Sequence, residues 1–117
     1  MRVHVVLGGP GTKAQLAVEG ANPELALLNP GSPVVSSSRS MDAVVSILDE
    51  NGTRTDALVP DGSVMLSVPM LYAFDALTLE VLSRTPLAAP GGKYNHPTVA
   101  HGLVLVGTDR LSAFRGP

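Results

Sequence analysis

The chain has 117 residues, 44% hydrophobic and 3% aromatic, so it can form one modest core from aliphatic side chains and is not expected to be disordered. Its net charge of −2, with no cluster of Lys or Arg, argues against nucleic acid as a partner. The absence of cysteine excludes disulfides, thiol catalysis and thiolate metal sites. No apolar stretch approaches the length of a membrane span, so a membrane partner is not expected either.

Residues 1–30 contain one predicted hairpin and one short helix-compatible segment. Residues 3–7 are β-branched and apolar and lead into a glycine-rich turn, after which residues 14–18 can return as a second strand. Residues 22–30 are compatible with a brief helix that Pro30 would end. The N-terminal apolar run is too short for a signal peptide, so the residues leave localisation open between the cytoplasm and export by a signal outside this sequence.

From residue 31 onward the chain predicts short strands separated by turns. The predicted strands lie around Val34, at residues 43–48, at 64–70 as an edge strand, at 71–74 and 80–85, and around Thr98, Leu103 and Leu111. Residues 49–52 predict a turn, with Asn51-Gly52 as its strongest signal, and residues 53–62 predict a surface excursion. Because no long helical periodicity occurs, the sequence predicts an all-β protein.

Two parts of the chain are variations on one pattern. The motifs Pro33-Val-Val-Ser, Ala43-Val-Val-Ser-Ile-Leu and Leu71-Tyr-Ala-Phe-Asp75 recur in the same order as Pro97-Thr-Val-Ala, Leu103-Val-Leu-Val-Gly-Thr108 and Leu111-Ser-Ala-Phe-Arg115. Such recurrence is typical of repeat architectures. It favours adjacent antiparallel blades of a β-propeller, because a β-sandwich, the alternative fold, gives no reason for the same three-strand order to recur.

The stretches 71–82 and 93–114 resemble the C-terminal end of quinoprotein-like β-propellers, which consist of pyrroloquinoline-quinone-type repeats. The resemblance covers residues 71–116 and extends back to Gly31. It therefore assigns residues 31–117 to propeller blades and leaves residues 1–30 as an N-terminal segment that can belong to a preceding blade. The resemblance also implies an extracellular or periplasmic protein.

Two departures from the family pattern carry expectations. Family blades place a tryptophan that packs between blades at the positions that are here Ser46 and Ser83, so these blades are expected to pack more loosely. The chain supplies about two blades, with the second a strand short, whereas a closed ring needs about four to eight. We therefore expect an incomplete ring and a fragment of a larger protein.

The resemblance implies a non-catalytic propeller segment of a larger binding or scaffold protein. Its partners would be the remaining blades of the parent protein, or other copies that pair through open strand edges. One alternative is the closing sector of a quinone-dependent oxidoreductase, and another is a free-standing β-sandwich interaction module. Because the chain lacks Trp and Cys, which family enzymes use around the quinone, pyrroloquinoline quinone and calcium are expected only in a full-length parent.

Four residues are weak candidates for ligand binding. His96 and His101 flank the strand that begins at Pro97, and Lys93 and Asn95 precede it, where a propeller strand enters from the central channel. Solvated loop histidines are the simpler interpretation, because a five-residue separation across a strand directs the two rings differently.

No motif predicts a catalytic, cofactor-binding or metal-binding residue. Residues 49–52 lack the spacing of a calcium loop, and residues 8–13 lack the spacing of a phosphate-binding loop. No nucleophile elbow surrounds a serine in residues 36–40. We therefore do not expect this chain alone to be an enzyme.

Overall fold

The computed structural model describes residues 1–23, 25–38, 42–50, 69–89, 91 and 95–116. These ranges form nine antiparallel strands in three sheets and no helix, so the prediction of an all-β antiparallel protein is confirmed. The strands are β1 (Arg2–Val6), β2 (Gln15–Gly20), β3 (Val34–Ser37), β4 (Ala43–Asp49), β5 (Met70–Asp75), β6 (Val81–Pro86), β7 (Thr98–Ala100), β8 (Leu103–Gly107) and β9 (Leu111–Arg115). Nothing in the described ranges is a helix that could cross a membrane. The surface excursion predicted at 53–62 and residues 64–68 of the strand predicted at 64–70 lie outside these ranges.

The predicted N-terminal hairpin forms from β1 and β2. Opposite residues of an antiparallel pair share a face. The pairs Val3–Val18 and Val5–Leu16 therefore give the hairpin one apolar side, and all four side chains are exposed. On the other side, Glu19 lies 3.0 Å from Arg2 Nε and 3.0 Å from His4 Nδ1.

The helix considered for residues 22–30 is wrong for the part that the structure describes. This segment instead runs along the end of β4, where Gly31 N donates to Leu48 O at 2.7 Å and Glu50 N donates to Asn29 O at 3.2 Å. Pro30 forms an isolated bridge with Asp49. A local preference for one or two helical turns is weak, and these long-range hydrogen bonds outweigh it.

Strands β3 to β6 form a four-stranded sheet in chain order, which is a simple meander. The connection from β5 to β6 is tight, because the Asp75 carboxylate accepts hydrogen bonds from Leu77 N and Thr78 N at 2.8 Å each. The backbone N–H groups of Thr78 and Leu77 hold the pKa of Asp75 below its ordinary value of 3.8. A charged Asp75 therefore stabilises this turn.

We predict that the stabilising effect of Asp75 disappears in acid. Because the pKa of Asp75 is lower in the folded chain, its contribution is complete above pH 3.8 and is lost as the pH falls through the lowered pKa. Urea unfolding of the wild type and Asp75→Ala at about pH 6 and about pH 2 measures this. The wild type should be more stable at the higher pH and lose that advantage at the lower one; an equal difference at both would contradict the prediction.

Strands β7 to β9 form a three-stranded meander that packs face to face on the four-stranded sheet. Between the sheets lies one core cluster, which consists of Leu48, Leu71, Leu87, Val104 and Val106, with Val99 and Phe114 packed against it. The first strands of the two sheets, β3 and β7, lie beside each other. The two repeat copies seen in the sequence are thus two stacked sheets.

Each sheet also has a face that points away from the core cluster. We call the outward side of the four-stranded sheet the cleft face; its residues include Val35, Val45, Ile47, Tyr72 and Phe74. We call the outward side of the three-stranded sheet the open face; its residues include Leu103, Leu105, Leu111 and Ala113.

Candidate functional site

Two buried carboxylates lie at the end of β4. Asp49 is fully buried and accepts hydrogen bonds from Leu28 N at 2.9 Å and Asn29 N at 2.8 Å. Glu50 is 8% exposed, and its two oxygens accept from Gly91 N at 3.0 and 3.1 Å. These carboxylates connect β4 to the segment before β3 and to the segment before β7. Both carboxylates have a structural role, since both accept hydrogen bonds from backbone amides.

The turn predicted at residues 49–52 is wrong at residue 49 and is otherwise mostly outside the described ranges. Asp49 is the last residue of β4, and residues 51 and 52 lie outside the described ranges. Asp and Glu after a strand are typical turn residues, but here their side chains accept hydrogen bonds from backbone amides that are distant in the sequence. Sequence spacing carries no signal of such a contact.

Asn95 takes part in the same junction. Its side-chain amide donates to Gly107 O, and it packs so closely that a Cβ on Gly31 or Gly91 would collide with it. The repeat aligns Asn95 with Gly31 and Gly107 with Leu48, so this bond takes the place of the Gly31 N–Leu48 O bond of the first copy. Asn95 therefore acts as a structural link between loop and strand.

Of the four ligand candidates, the three that the structure describes do not converge on one site. His96 is exposed just before β7, and His101 is exposed in the turn after it, so the two rings lie at opposite ends of that strand. Lys93 lies outside the described ranges. Within those ranges, no group of three His, Asp or Glu residues could hold a metal ion.

His101 and Gly102 form the two-residue turn between β7 and β8. Their φ angles are +51° and +75°, as a type I′ turn requires at both central positions. A left-handed conformation is unfavourable for histidine, whereas Asn-Gly is the preferred pair in this turn.

We predict that His101→Asn raises the free energy of unfolding by about 0.5–1 kcal/mol, because asparagine adopts the left-handed conformation more readily. Gly102→Ala is the matched control and should lower it by about 1 kcal/mol or more. Urea unfolding followed by far-ultraviolet circular dichroism measures both. Destabilisation by His101→Asn would contradict the prediction and indicate that the ring itself makes a stabilising contact.

A cleft of about 720 Å³ with a mixed polar and apolar lining separates the two sheets at one end. His101 lines it, together with Asp42, Arg115 and Ser46. Ser46 is 1% exposed and occupies a position where the resemblance implies a tryptophan. The opening thus lies at a position where the resemblance predicts a large ring and the chain has a hydroxymethyl group.

An apolar cleft of about 400 Å³ lies over part of the cleft face, whose residues line it. Its floor is formed by Val35, Val45, Ile47 and Phe74. Its far wall is formed by Pro33 and by residues from the N-terminal segment, Leu25 and Leu27 among them. Asn22 Nδ2 donates to Leu79 O at 3.0 Å and holds this wall against the sheet.

The ring of Phe74 packs against Tyr72, with 5.9 Å between ring centroids and 20° between planes. Our sequence reasoning missed the cleft. The signal was that β4 has apolar residues on both faces, Val44 and Leu48 on one and Val45 and Ile47 on the other, because a strand with one solvated face alternates apolar and polar residues.

The fold therefore defines an all-β protein of stacked antiparallel meanders. No protein-family model matches the chain, and neither a curated protein nor a solved structure matches it. The quinoprotein-like resemblance stays a prediction from the sequence motifs.

Proposed function

We propose that the chain supplies two blades of a quinoprotein-like β-propeller and acts as a non-catalytic part of a binding scaffold. The arrangement of the sheets supports this. A four-stranded meander is followed by a three-stranded meander, the two pack face to face, and their first strands lie side by side. Radial blades of four-stranded antiparallel sheets are the construction principle of propellers.

One observation carries the proposal: the four-stranded sheet is apolar on both faces. Leu48 and Leu71 face the neighbouring sheet, while Val45 and Ile47 face the apolar cleft. In a two-layer sandwich the outward face of each sheet meets water and is polar. In a propeller every blade lies between two others, so both faces are apolar.

A scaffold is favoured over an oxidoreductase by what the described ionisable residues do. Asp49 and Glu50 accept hydrogen bonds from backbone amides, and His96 and His101 lie at opposite ends of a strand. No pair among these four residues is arranged as a nucleophile with its base.

The first test is whether the sheets stack as blades. Methyl–methyl nuclear Overhauser effects are expected between Leu48 or Leu71 and Val104 or Val106, whatever the association state of the protein. Electron microscopy of the assembled protein should show a ring with a central channel. Absent inter-sheet effects, or a two-layer particle without a channel, would contradict the proposal.

The second test addresses the oxidoreductase. Because the quinone is expected only in a full-length parent, that parent is titrated with pyrroloquinoline quinone and Ca²⁺, and dye-linked oxidation is assayed in parallel. The proposal predicts no saturable binding and no activity. Saturable binding with activity would replace the scaffold by a quinone-dependent enzyme.

A further inference from the structure

The two sheets are held together by one face of each. The chain has a second copy of each of these two faces, and neither second copy lies in the contact between the sheets. The strand registers align Val45 with Val104, because Val45 lies opposite Val35 and Phe74 as Val104 lies opposite Val99 and Phe114. The cleft face therefore consists of the same repeat positions as the side of the three-stranded sheet that packs on the core cluster.

Residues at equivalent repeat positions differ in burial. This difference is expected if the cleft face lacks a neighbouring sheet like the one that covers its counterpart. Val104 is 7% exposed and Val106 is fully buried, but their counterparts Val45 and Ile47 are only half-buried. Pro97 is fully buried, whereas Pro33 is exposed.

The remaining residues of the cleft face differ from one another in burial. Val35 is 63% exposed, whereas its counterpart Val99 is half-buried. Tyr72 and Phe74 are the exceptions at 8% and 9% exposed, since their rings pack on each other. The cleft face is thus only partly covered.

The open face repeats the other half of the contact. Leu71 is 6% exposed within the core cluster, but its counterpart Leu111 is 73% exposed. Ala73 is 5% exposed, and its counterpart Ala113 is exposed. The open face therefore consists of the repeat positions that, in the four-stranded sheet, pack on the neighbouring sheet.

We propose that the open face of one copy of this chain docks on the cleft face of a second copy, head to tail. The inference rests on the proposed function and names a partner for it. The occupant is a second copy because both halves of the contact that joins the sheets internally occur again on one chain, the open face exposed at Leu111 and the cleft face partly covered. Two different surfaces meet in such an association, so it closes into a ring where the rotation permits and otherwise extends as a filament.

A single substitution on the open face and another on the cleft face should each disrupt the docking surface that carries it. Leu111→Asp places a charge on the open face and Val35→Asp places one on the cleft face, and both sites are already exposed, so the fold tolerates them. Sedimentation velocity across a range of concentrations should show association of the wild type that each variant weakens more than roughly tenfold. Leu16→Asp, also at a 73% exposed leucine, is the matched control and should associate as the wild type does.

Mixing the two variants gives the decisive result. Leu111→Asp keeps an intact cleft face and Val35→Asp keeps an intact open face, so the mixture should form a heterodimer and nothing larger. Failure of the mixture to associate would overturn the proposal. Loss of association in Leu16→Asp alone would also overturn it, since the N-terminal hairpin would then be the contact.

A wild type that stays monomeric at every concentration would overturn docking of a second copy. The inter-sheet Overhauser effects would still test the blade proposal in that monomer, because they arise within one chain. Uptake of a small apolar molecule by the cleft, with no association, would likewise overturn the second copy as occupant.

Discussion

Replacing Leu71 with alanine is expected to lower the free energy of unfolding by about 2–5 kcal/mol, whereas Leu111→Ala should lower it by less than about 0.5 kcal/mol. The two leucines occupy the same repeat position, but Leu71 is 6% exposed in the core cluster and Leu111 is 73% exposed. Truncating Leu71 removes buried methyl groups and leaves a cavity between the sheets. Truncating Leu111 removes surface that water already reaches.

Chemical denaturation below the concentration at which copies associate measures both values. Working in the monomer matters, because association would bury Leu111 and raise the cost of its truncation. Two alanine variants of equal stability would contradict the stacked arrangement, since the repeat position would then have the same surroundings in both sheets.

Replacing Asp49 with alanine is expected to lower the free energy of unfolding by about 3 kcal/mol. Asp49 is fully buried, and its removal leaves Leu28 N and Asn29 N without the carboxylate that they bond. Hydrogen bonds to a charged group contribute about 1.5–3 kcal/mol each, and these two are part-buried. The segment before β3 should then separate from the end of β4.

Thermal and urea unfolding measure the change, and hydrogen exchange at Leu28 and Asn29 localises it. Asp49→Asn keeps the shape and one acceptor oxygen, so it should recover part of the stability. Asp109→Ala is a surface control: Asp109 pairs with Arg110 at 2.7 Å, which lowers its pKa to about 2, but the pair is exposed and should matter little. Equal effects of Asp49→Ala and Asp109→Ala would contradict the structural role.

The strands could be predicted from the sequence because their signals are local. β-branched runs bounded by Gly, Pro and Asn placed the hairpin of β1 and β2, and the repeated motifs placed β3 to β5 and β7 to β9. The segment at 22–30 was misjudged because its conformation depends on Asp49, which lies about twenty residues further along the chain.

The candidate sites could be predicted from the sequence less well than the strands. The clefts could not be predicted, because each depends on which faces of two sheets meet and which stay open. Ser46 could be singled out as a position where the resemblance predicts a tryptophan, but not as the lining of an opening, since that needs the position of the second sheet. Asn95 was singled out for a ligand, while its amide bonds Gly107 O within the chain.

The stacked rings in β5 give the protein an optical signal of its own. The chain has two tyrosines and no tryptophan, so tyrosine emission can be followed without interference. Tyr72 is 8% exposed and packs on Phe74, whose ring lines the apolar cleft. Filling that cleft changes the surroundings of both rings, so the near-ultraviolet circular dichroism of the unlabelled protein reports when the cleft face is occupied.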